Sequence, residues 1–214
     1  MAAKEMFGKN EHILIKNAIP AKEYIYNDKI RKEVRTQYGL EKKFIIGHVG
    51  RLSYSKNHEF LLKIFVNIHE KNKDAILLLV GDGELRNDIE KKIEELGLKE
   101  HVILTGVRND ISRLLQAMDV FVFPSHFEGL GIVAIEAQAS GLPCVISDTI
   151  PQEALITNDI KQVSLNVGVE VWAETILNYK DSFNRKNTYQ EINNAGYDIK
   201  EESSKLEQLY LNNI

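Results

Sequence analysis

Val120-Phe121-Val122-Phe123-Pro124-Ser125-His126-Phe127-Glu128-Gly129-Leu130-Gly131-Ile132-Val133-Ala134-Ile135-Glu136-Ala137 reads as a strand, a loop and the start of a helix. Val120 to Phe123 has the length and the branched and aromatic side chains of a buried strand, and Pro124 ends it. Helical spacing of apolar residues begins at Ile132. Glu128 therefore sits in the strand-to-helix loop and Glu136 inside the helix. Gly129 and Gly131 have no side chain to cover the first helix amides, so those amides and the positive end of the helix dipole are open to a diphosphate. Carboxylates on either side accept hydrogen bonds from sugar hydroxyls. The junction suits a nucleotide sugar.

Outward from it, strand-length apolar runs recur at Phe44 to Val49, Ala75 to Val80, Val102 to Thr105 and Cys144 to Ser147, alternating with longer stretches of helical spacing. Such alternation predicts βαβ units, and runs that are apolar throughout predict a parallel sheet covered on both faces. The expected fold class is α/β, a Rossmann-like doubly wound parallel sheet. Asn57 is placed to cap the helix carrying Phe60, Leu61, Ile64, Phe65 and Ile68, Gly97 to end the one carrying Ile89, Ile93 and Leu96, and Asp110 to open a third. Beyond Asp148 the pattern predicts a strand at Gln162 to Leu165, a helix from Glu170 to Tyr179 and a polar loop at Asp181 to Thr188. A final helix capped by Asp198 would carry Ile199, Leu206, Leu209 and Tyr210 on one side. Before the first central strand, His12 to Ile19 reads as a short strand and Asp28 to Tyr38 as a helix. The expected division is a connector segment at 1–40, a Rossmann-like domain at 41–182 and a C-terminal loop and helix at 183–214.

With 214 residues, 43% apolar and 27% charged, the chain has material for a full core. A net charge of −4 without an aromatic-interleaved basic patch argues against nucleic acid as a partner. Cys144 is the only cysteine, so no internal disulfide can form, and its apolar neighbours favour a buried thiol in a cytoplasmic setting. Ala75 to Val80, the most apolar run, is too short to span a bilayer, which leaves peripheral attachment at the inner face of a membrane open. No His-x-x-x-His pair, cysteine cluster or close Asp-x-Asp motif points to a metal, and no cofactor is expected.

Ligands of doubly wound sheets bind outside the carboxyl ends of the strands, at a switch in topology. Gly50-Arg51-Leu52-Ser53-Tyr54-Ser55-Lys56-Asn57 follows the first central strand. Arg51, by a planar fork, and Lys56, as a mobile point charge, are candidates to converge on two phosphates and to neutralise a leaving diphosphate. They also read as two solvated loop cations. Gly81-Asp82-Gly83-Glu84-Leu85 matches half of a dinucleotide fingerprint and is expected as a tight turn bordering the cleft. Backbone groups of Val107 and Arg108, after Gly106, are candidates for a nucleobase edge, against the plainer reading of a helix-entry loop. Glu136 has apolar and small neighbours around most of its helix; a buried carboxylate needs a partner, and ribose hydroxyls would supply one.

Together, Gly50-Arg51, Lys56, Gly106, the Glu128/Glu136 pair and Gly141-Leu142-Pro143 resemble the nucleotide-sugar-binding half of retaining GT-B glycosyltransferases of the group 1 type, which have two Rossmann-like domains. Lys56-Asn57-His58, Gly81 to Leu85 and Glu136-Ala137-Gln138-Ala139-Ser140-Gly141-Leu142-Pro143 look most like bacterial capsular or exopolysaccharide enzymes. The resemblance implies that Arg51 and Lys56 hold the donor diphosphate and that Glu128 contacts the transferred sugar; these three are the catalytic candidates. Gly50, Val107, Arg108, Gly129, Gly131, Ile132 and Glu136 are the implied donor-binding residues, with amides near Gly131 and Ile132 on phosphate and Glu136 on ribose. Retention of anomeric configuration is implied in the same way. Where many members have a Gly-Gly pair, this chain has Asp148-Thr149-Ile150-Pro151-Gln152-Glu153. The expected partners are a nucleotide-diphosphate sugar and a saccharide or lipid-linked saccharide acceptor. The acceptor would be held by an N-terminal domain that the chain is expected to lack, so transfer by the chain alone is expected to be poor or nil. Two other readings stand beside this one: a non-catalytic nucleotide-binding module, which needs Arg51 and Lys56 but not Glu128, and half of a sugar-nucleotide epimerase.

Overall fold

The computed structural model describes residues 14–180 and 184–212. Six strands, β1 (Phe44–Val49), β2 (Ala75–Val80), β3 (Val102–Leu104), β4 (Val120–Phe123), β5 (Cys144–Ser147) and β6 (Ile160–Val163), form one parallel sheet in the order β3-β2-β1-β4-β5-β6. The order reverses between β1 and β4, which opens a crevice at their carboxyl ends. β1 pairs with β2 from Phe44 opposite Ala75 to Val49 opposite Val80, and with β4 at Ile46–Val120 and Gly47–Phe121. The nine helices are α1 (Ala21–Tyr24), α2 (Asp28–Tyr38), α3 (His58–Lys71), α4 (Arg86–Glu95), α5 (Ile111–Ala117), α6 (Ile132–Ala139), α7 (Val169–Leu177), α8 (Tyr189–Asn194) and α9 (Ile199–Asn212), counted among the described residues.

Side chains alternate across a strand, so each apolar run is shared between two cores. On one face Ile45, Ile76, Leu78, Phe121, Phe123 and Ile146 meet α1, α2, α5, α6 and α8 through residues such as Val34, Leu115, Ile135 and Ile192. On the other, Ile46, Leu77, Leu79, Val120, Val122 and Val145 meet α3, α4 and α7 through Leu61, Phe65, Ile93 and Trp172. Both faces are covered by helices, and the sheet is the Rossmann-like doubly wound one expected.

Charge fixes the turn that feeds β4. Asp119 accepts from the Ile45 amide at 2.7 Å and from Arg35 Nη2 at 2.5 Å, and Arg31 pairs with its other oxygen. Arg31 also donates to the carbonyls of Gln116, Ala117 and Met118, while Arg185 donates to Leu115 at 2.9 Å and Met118 at 2.5 Å. Three guanidiniums thus occupy the carboxyl end of α5, where helix carbonyls are unsatisfied and the dipole favours positive charge.

Several local expectations are corrected. Asn57 stands at the N-cap of α3 but at φ +55°, and its side chain makes no cap bond. Asp110 stands at the cap of α5, yet its carboxylate holds the Arg108 guanidinium at 2.8 and 2.9 Å instead of a helix amide. The last strand begins two residues earlier than expected, at Ile160, because Ile160 pairs with Cys144. β3 ends at Leu104 rather than Thr105, and α7 spans Val169–Leu177. From residue 14 to Ile19 there is only an isolated bridge, Ile19 to Asp198, in place of a strand, and His12 and Ile13 lie outside the described residues. Asp181 to Phe183 of the expected polar loop also lie outside them. The short α1 and α8 were not expected. Asp198 does cap α9, accepting from the Lys200 amide at 3.0 Å, but Ile199 and Tyr210 are exposed. No described helix is long and apolar enough to cross a membrane.

Candidate functional site

Backbone contacts without side chains build the rim of the crevice. Gly81 has φ +134°, and a Cβ there would lie 2.1 Å from the Gly50 carbonyl oxygen. One at Gly83 would lie 2.5 Å from that of Leu52. Closeness allows Leu52 N to donate to Asp82 O at 3.0 Å, Leu85 N to Leu52 O at 3.0 Å and Gly81 N to Gly106 O at 2.9 Å. The Gly81 to Leu85 motif therefore braces the loop after β1 against those after β2 and β3.

A second set of contacts joins the loops after β1 and β4, either side of the topological switch. Lys56 ends a 3-10 turn, Tyr54–Lys56; its Nζ lies 2.6 Å from Glu128 Oε1 and 5.0 Å from the Phe123 ring centroid. The two side chains are 16% and 10% exposed, so the pair is largely removed from water. Turned aside by its positive φ, Asn57 donates from Nδ2 to Pro124 O at 3.1 Å, and His126 N donates to Ser55 O at 2.8 Å. The rings of Tyr54 and His126 stack at 4.7 Å. Gly131, at φ +77°, turns the chain into α6, and Glu128 Cγ lies 3.7 Å from where a Gly131 Cβ would be. Glu128 is thus folded against the first turn of α6, whose leading amides have no partner within the helix.

The structure brings Gly50, Lys56, Glu128, Gly131 and Ile132 together and leaves the other candidates further out. Arg51 is 72% exposed and donates from Nε to Glu84 at 3.0 Å, toward the β2 loop and away from Lys56. Val107, 80% exposed, and Arg108 follow β3, two strand positions from β1, or about 10 Å at ordinary interstrand spacing. Gly129 is exposed, with nothing within 4 Å of an added Cβ. Glu136 is half-buried in α6, where burial raises its pKa and the Tyr24 hydroxyl partly offsets the shift by hydrogen bonding. A protein side chain therefore already stands beside this carboxylate.

Sequence reasoning missed the ground beneath the site. His48, wholly buried in β1, has Nδ1 2.9 Å from Val122 O, so Nδ1 carries the proton. Its Nε2 faces Gly50, 3.3 Å from a Cβ placed there. The His58 ring meets it edge-on at 4.8 Å, and burial, then the Lys56 charge, push the His58 pKa down to about 4. Ser147 and Thr149 both donate to Ser125 O, at 2.7 and 2.8 Å, tying the Asp148 to Glu153 segment to the Glu128 loop. A histidine inside the apolar run Phe44 to Val49 was the available signal for the first of these.

Known proteins share this architecture. The family model for glycosyl transferases group 1 matches residues 30–198. EpsF of Bacillus subtilis (strain 168), which bears a provisional glycosyltransferase designation, is 35% identical over 205 residues, covering 92% of this chain and 52% of its own. The UDP-Gal:alpha-D-GlcNAc-diphosphoundecaprenol alpha-1,3-galactosyltransferase of Escherichia coli is 33% identical over 183 residues, 80% of this chain and 46% of that enzyme. Anabaena Alr3699/HepE in complex with UDP and glucose superposes with a TM-score of 0.76 at 22% identity, over 92% of this chain and 56% of HepE. The chain thus spans about half the length of the curated relatives it matches. On the family match, which takes in most of the sheet and its helices, the chain belongs to the group 1 glycosyl transferases.

Proposed function

We propose that the chain binds the nucleotide-diphosphate-sugar donor of a retaining glycosyltransferase, at the loops after β1 and β4, in bacterial capsular or exopolysaccharide synthesis. The observation that carries this reading is the nearly buried Lys56–Glu128 pair against the amino end of α6. A diphosphate would draw Lys56 to itself and settle on the amides of Ile132 and its neighbour, leaving Glu128 to accept from hydroxyls of the transferred sugar. Arg51, exposed and held only by Glu84, would swing onto the same phosphates. As the bond from the anomeric carbon to the diphosphate oxygen breaks, the oxygen keeps the electron pair and the carbon bonds to an acceptor hydroxyl oxygen, whose proton is released, while Arg51, Lys56 and the helix amides offset the charge that develops on the diphosphate. Glu136 would take the ribose, with Tyr24 behind it, and the backbone of Val107 and Arg108 the base.

UDP in the HepE complex and UDP-Gal in the name of the galactosyltransferase make a uridine diphosphate sugar the first donor to try. The acceptor, a saccharide or a lipid-linked saccharide, would be held by a further domain of the kind for which the relatives' remaining length has room, and the reaction would run in the cytoplasm. Calorimetry with UDP, ADP, GDP and their sugars on the chain, Lys56→Ala and Glu128→Ala tests the reading. Expected is a nucleoside diphosphate bound at least tenfold more weakly by Lys56→Ala and little changed in Glu128→Ala, with transfer lost in Glu128→Ala wherever an acceptor domain is present. Nucleotide affinity indifferent to Lys56→Ala would overturn it.

A further inference from the structure

A cavity of about 860 Å3 lies at the rim opposite the crevice, where the strands begin. Phe44, the first residue of β1, lines it, and Val49 at the other end of that strand leads into Gly50; six residues of strand put roughly 20 Å between the two rims. In a chain of net charge −4, the cavity is lined, among the described residues, by the cations Arg31, Arg35, Lys42, Lys43, Lys180 and Arg185. Among the described residues, Glu41, Asp74 and Asp119 oppose them.

Among the described lining residues the cations outnumber these acids. Asp119 alone stands between Arg31 and Arg35, which are 19% and 10% exposed. Among the described residues Arg185 meets no carboxylate: it donates to main-chain oxygens and lies with Cζ 5.1 Å from the Tyr26 ring centroid. Burial, then the charge of Arg31, push its pKa down to about 9, with Asp119 acting in the opposite direction. Asp74 is taken by Lys43 at 2.8 Å. Lys42 and Lys180, both exposed, form no ion pair among the described residues, and Tyr26 and Tyr179 supply aromatic walls.

We propose that this cavity is a second anion site, built for a phosphate-bearing ligand held by Lys42 and Lys180 in the field of the three arginines. The arginines spend most of their donors on α5 carbonyls and Asp119, so they contribute field and shape, whereas the two lysines are mobile and available to phosphate oxygens. Free polyanions and phospholipid headgroups present the same group.

The test is an amide NMR titration of the chain and of the Lys42→Glu/Lys180→Glu double variant with sodium pyrophosphate, beside flotation with phosphatidylcholine vesicles, with and without phosphatidylglycerol. Pyrophosphate is expected to shift the amides of Lys43, Phe44, Asp119 and Lys180, and the double variant to weaken this at least tenfold while leaving UDP-induced shifts at Gly50 to Asn57 unchanged. Flotation only with phosphatidylglycerol, lost in the double variant, identifies a headgroup as the source; pyrophosphate binding without flotation identifies a free anion. Shifts confined to Gly50 to Asn57 and Gly129 to Ile132 would overturn the proposal, as would equal binding by the double variant or binding of neither probe.

Discussion

Lys56→Met and Glu128→Gln, made singly and together, probe the pair at the centre of the crevice. Its nitrogen and oxygen are 2.6 Å apart, with side chains 16% and 10% exposed, so either single change strands a charge that little water reaches. Fully buried pairs lose 3–5 kcal/mol in that situation, and with the residual exposure each single variant is expected to cost about 2–4 kcal/mol. The double variant replaces both charges with neutral groups of similar volume and should return to within about 1 kcal/mol of the parent, a coupling of at least about 3 kcal/mol. For a chain of this size that is a fall in Tm on the order of 5–15 °C for the singles. Urea unfolding followed by Trp172, the only tryptophan and fully buried, reads it directly. Calorimetry on the same proteins separates stability from binding: Lys56→Met should weaken UDP by about 1.5–3 kcal/mol, the worth of a charged hydrogen bond. Glu128→Gln should leave UDP affinity equal or tighter, because the competing carboxylate is gone. Strictly additive singles, each below about 0.5 kcal/mol, would show that the pair does not form in solution and would remove the ground for the donor-site reading.

Gly81→Ala should cost at least about 2 kcal/mol, since its Cβ would sit 2.1 Å from a main-chain oxygen at φ +134°, whereas Gly129→Ala, with open space around it, should stay within about 0.5 kcal/mol; urea midpoints compare them. His58 is held neutral to about pH 4 in the fold but takes its proton near 6.5 when unfolded, so the unfolded state binds more protons in that window and stability falls as pH drops through it, by up to about 3 kcal/mol. His58→Phe should flatten this part of the stability–pH curve, and an unchanged slope would refute the assignment. Glu136 has a raised pKa, so its ionisation is harder in the fold, and its contribution to stability declines as pH rises from the unfolded value through the folded one. Glu136→Gln should therefore gain stability relative to the parent as pH is raised from 4 to 7, while losing affinity for UDP relative to uracil in calorimetry.

The central strands were readable because burial on both faces leaves no polar position in Ala75 to Val80 or Val120 to Phe123. β6 was misplaced for the converse reason: Lys161 and Gln162 are exposed at a sheet edge, so composition there does not mark the strand. Asn57 and Asp110 are good capping residues by type, but capping by Asn57 requires a backbone geometry that the preceding 3-10 turn denies it, and Asp110 is taken by Arg108. Neither fact is local enough to see in a string. Lys56 and Glu128 could be placed on loops of one rim, yet their contact across 72 positions depends on β1 and β4 being neighbours, which only the strand order reveals. The cavity at the other rim draws on residues from Tyr26 to Arg185 and follows no motif, so nothing in the sequence announced it.

Because the lip formed by Gly50, Gly81, Gly83 and Gly106 is made of main chain alone, it offers mutation almost nothing to adjust. Any retuning of ligand preference in this scaffold must come from outward-pointing side chains such as Tyr54, Val107 and Phe127, which stand 61–80% exposed around it. A library restricted to those three positions would therefore explore new specificities while leaving the frame intact, whereas one at Gly81 and Gly83 would disturb the main-chain contacts that hold the rim together.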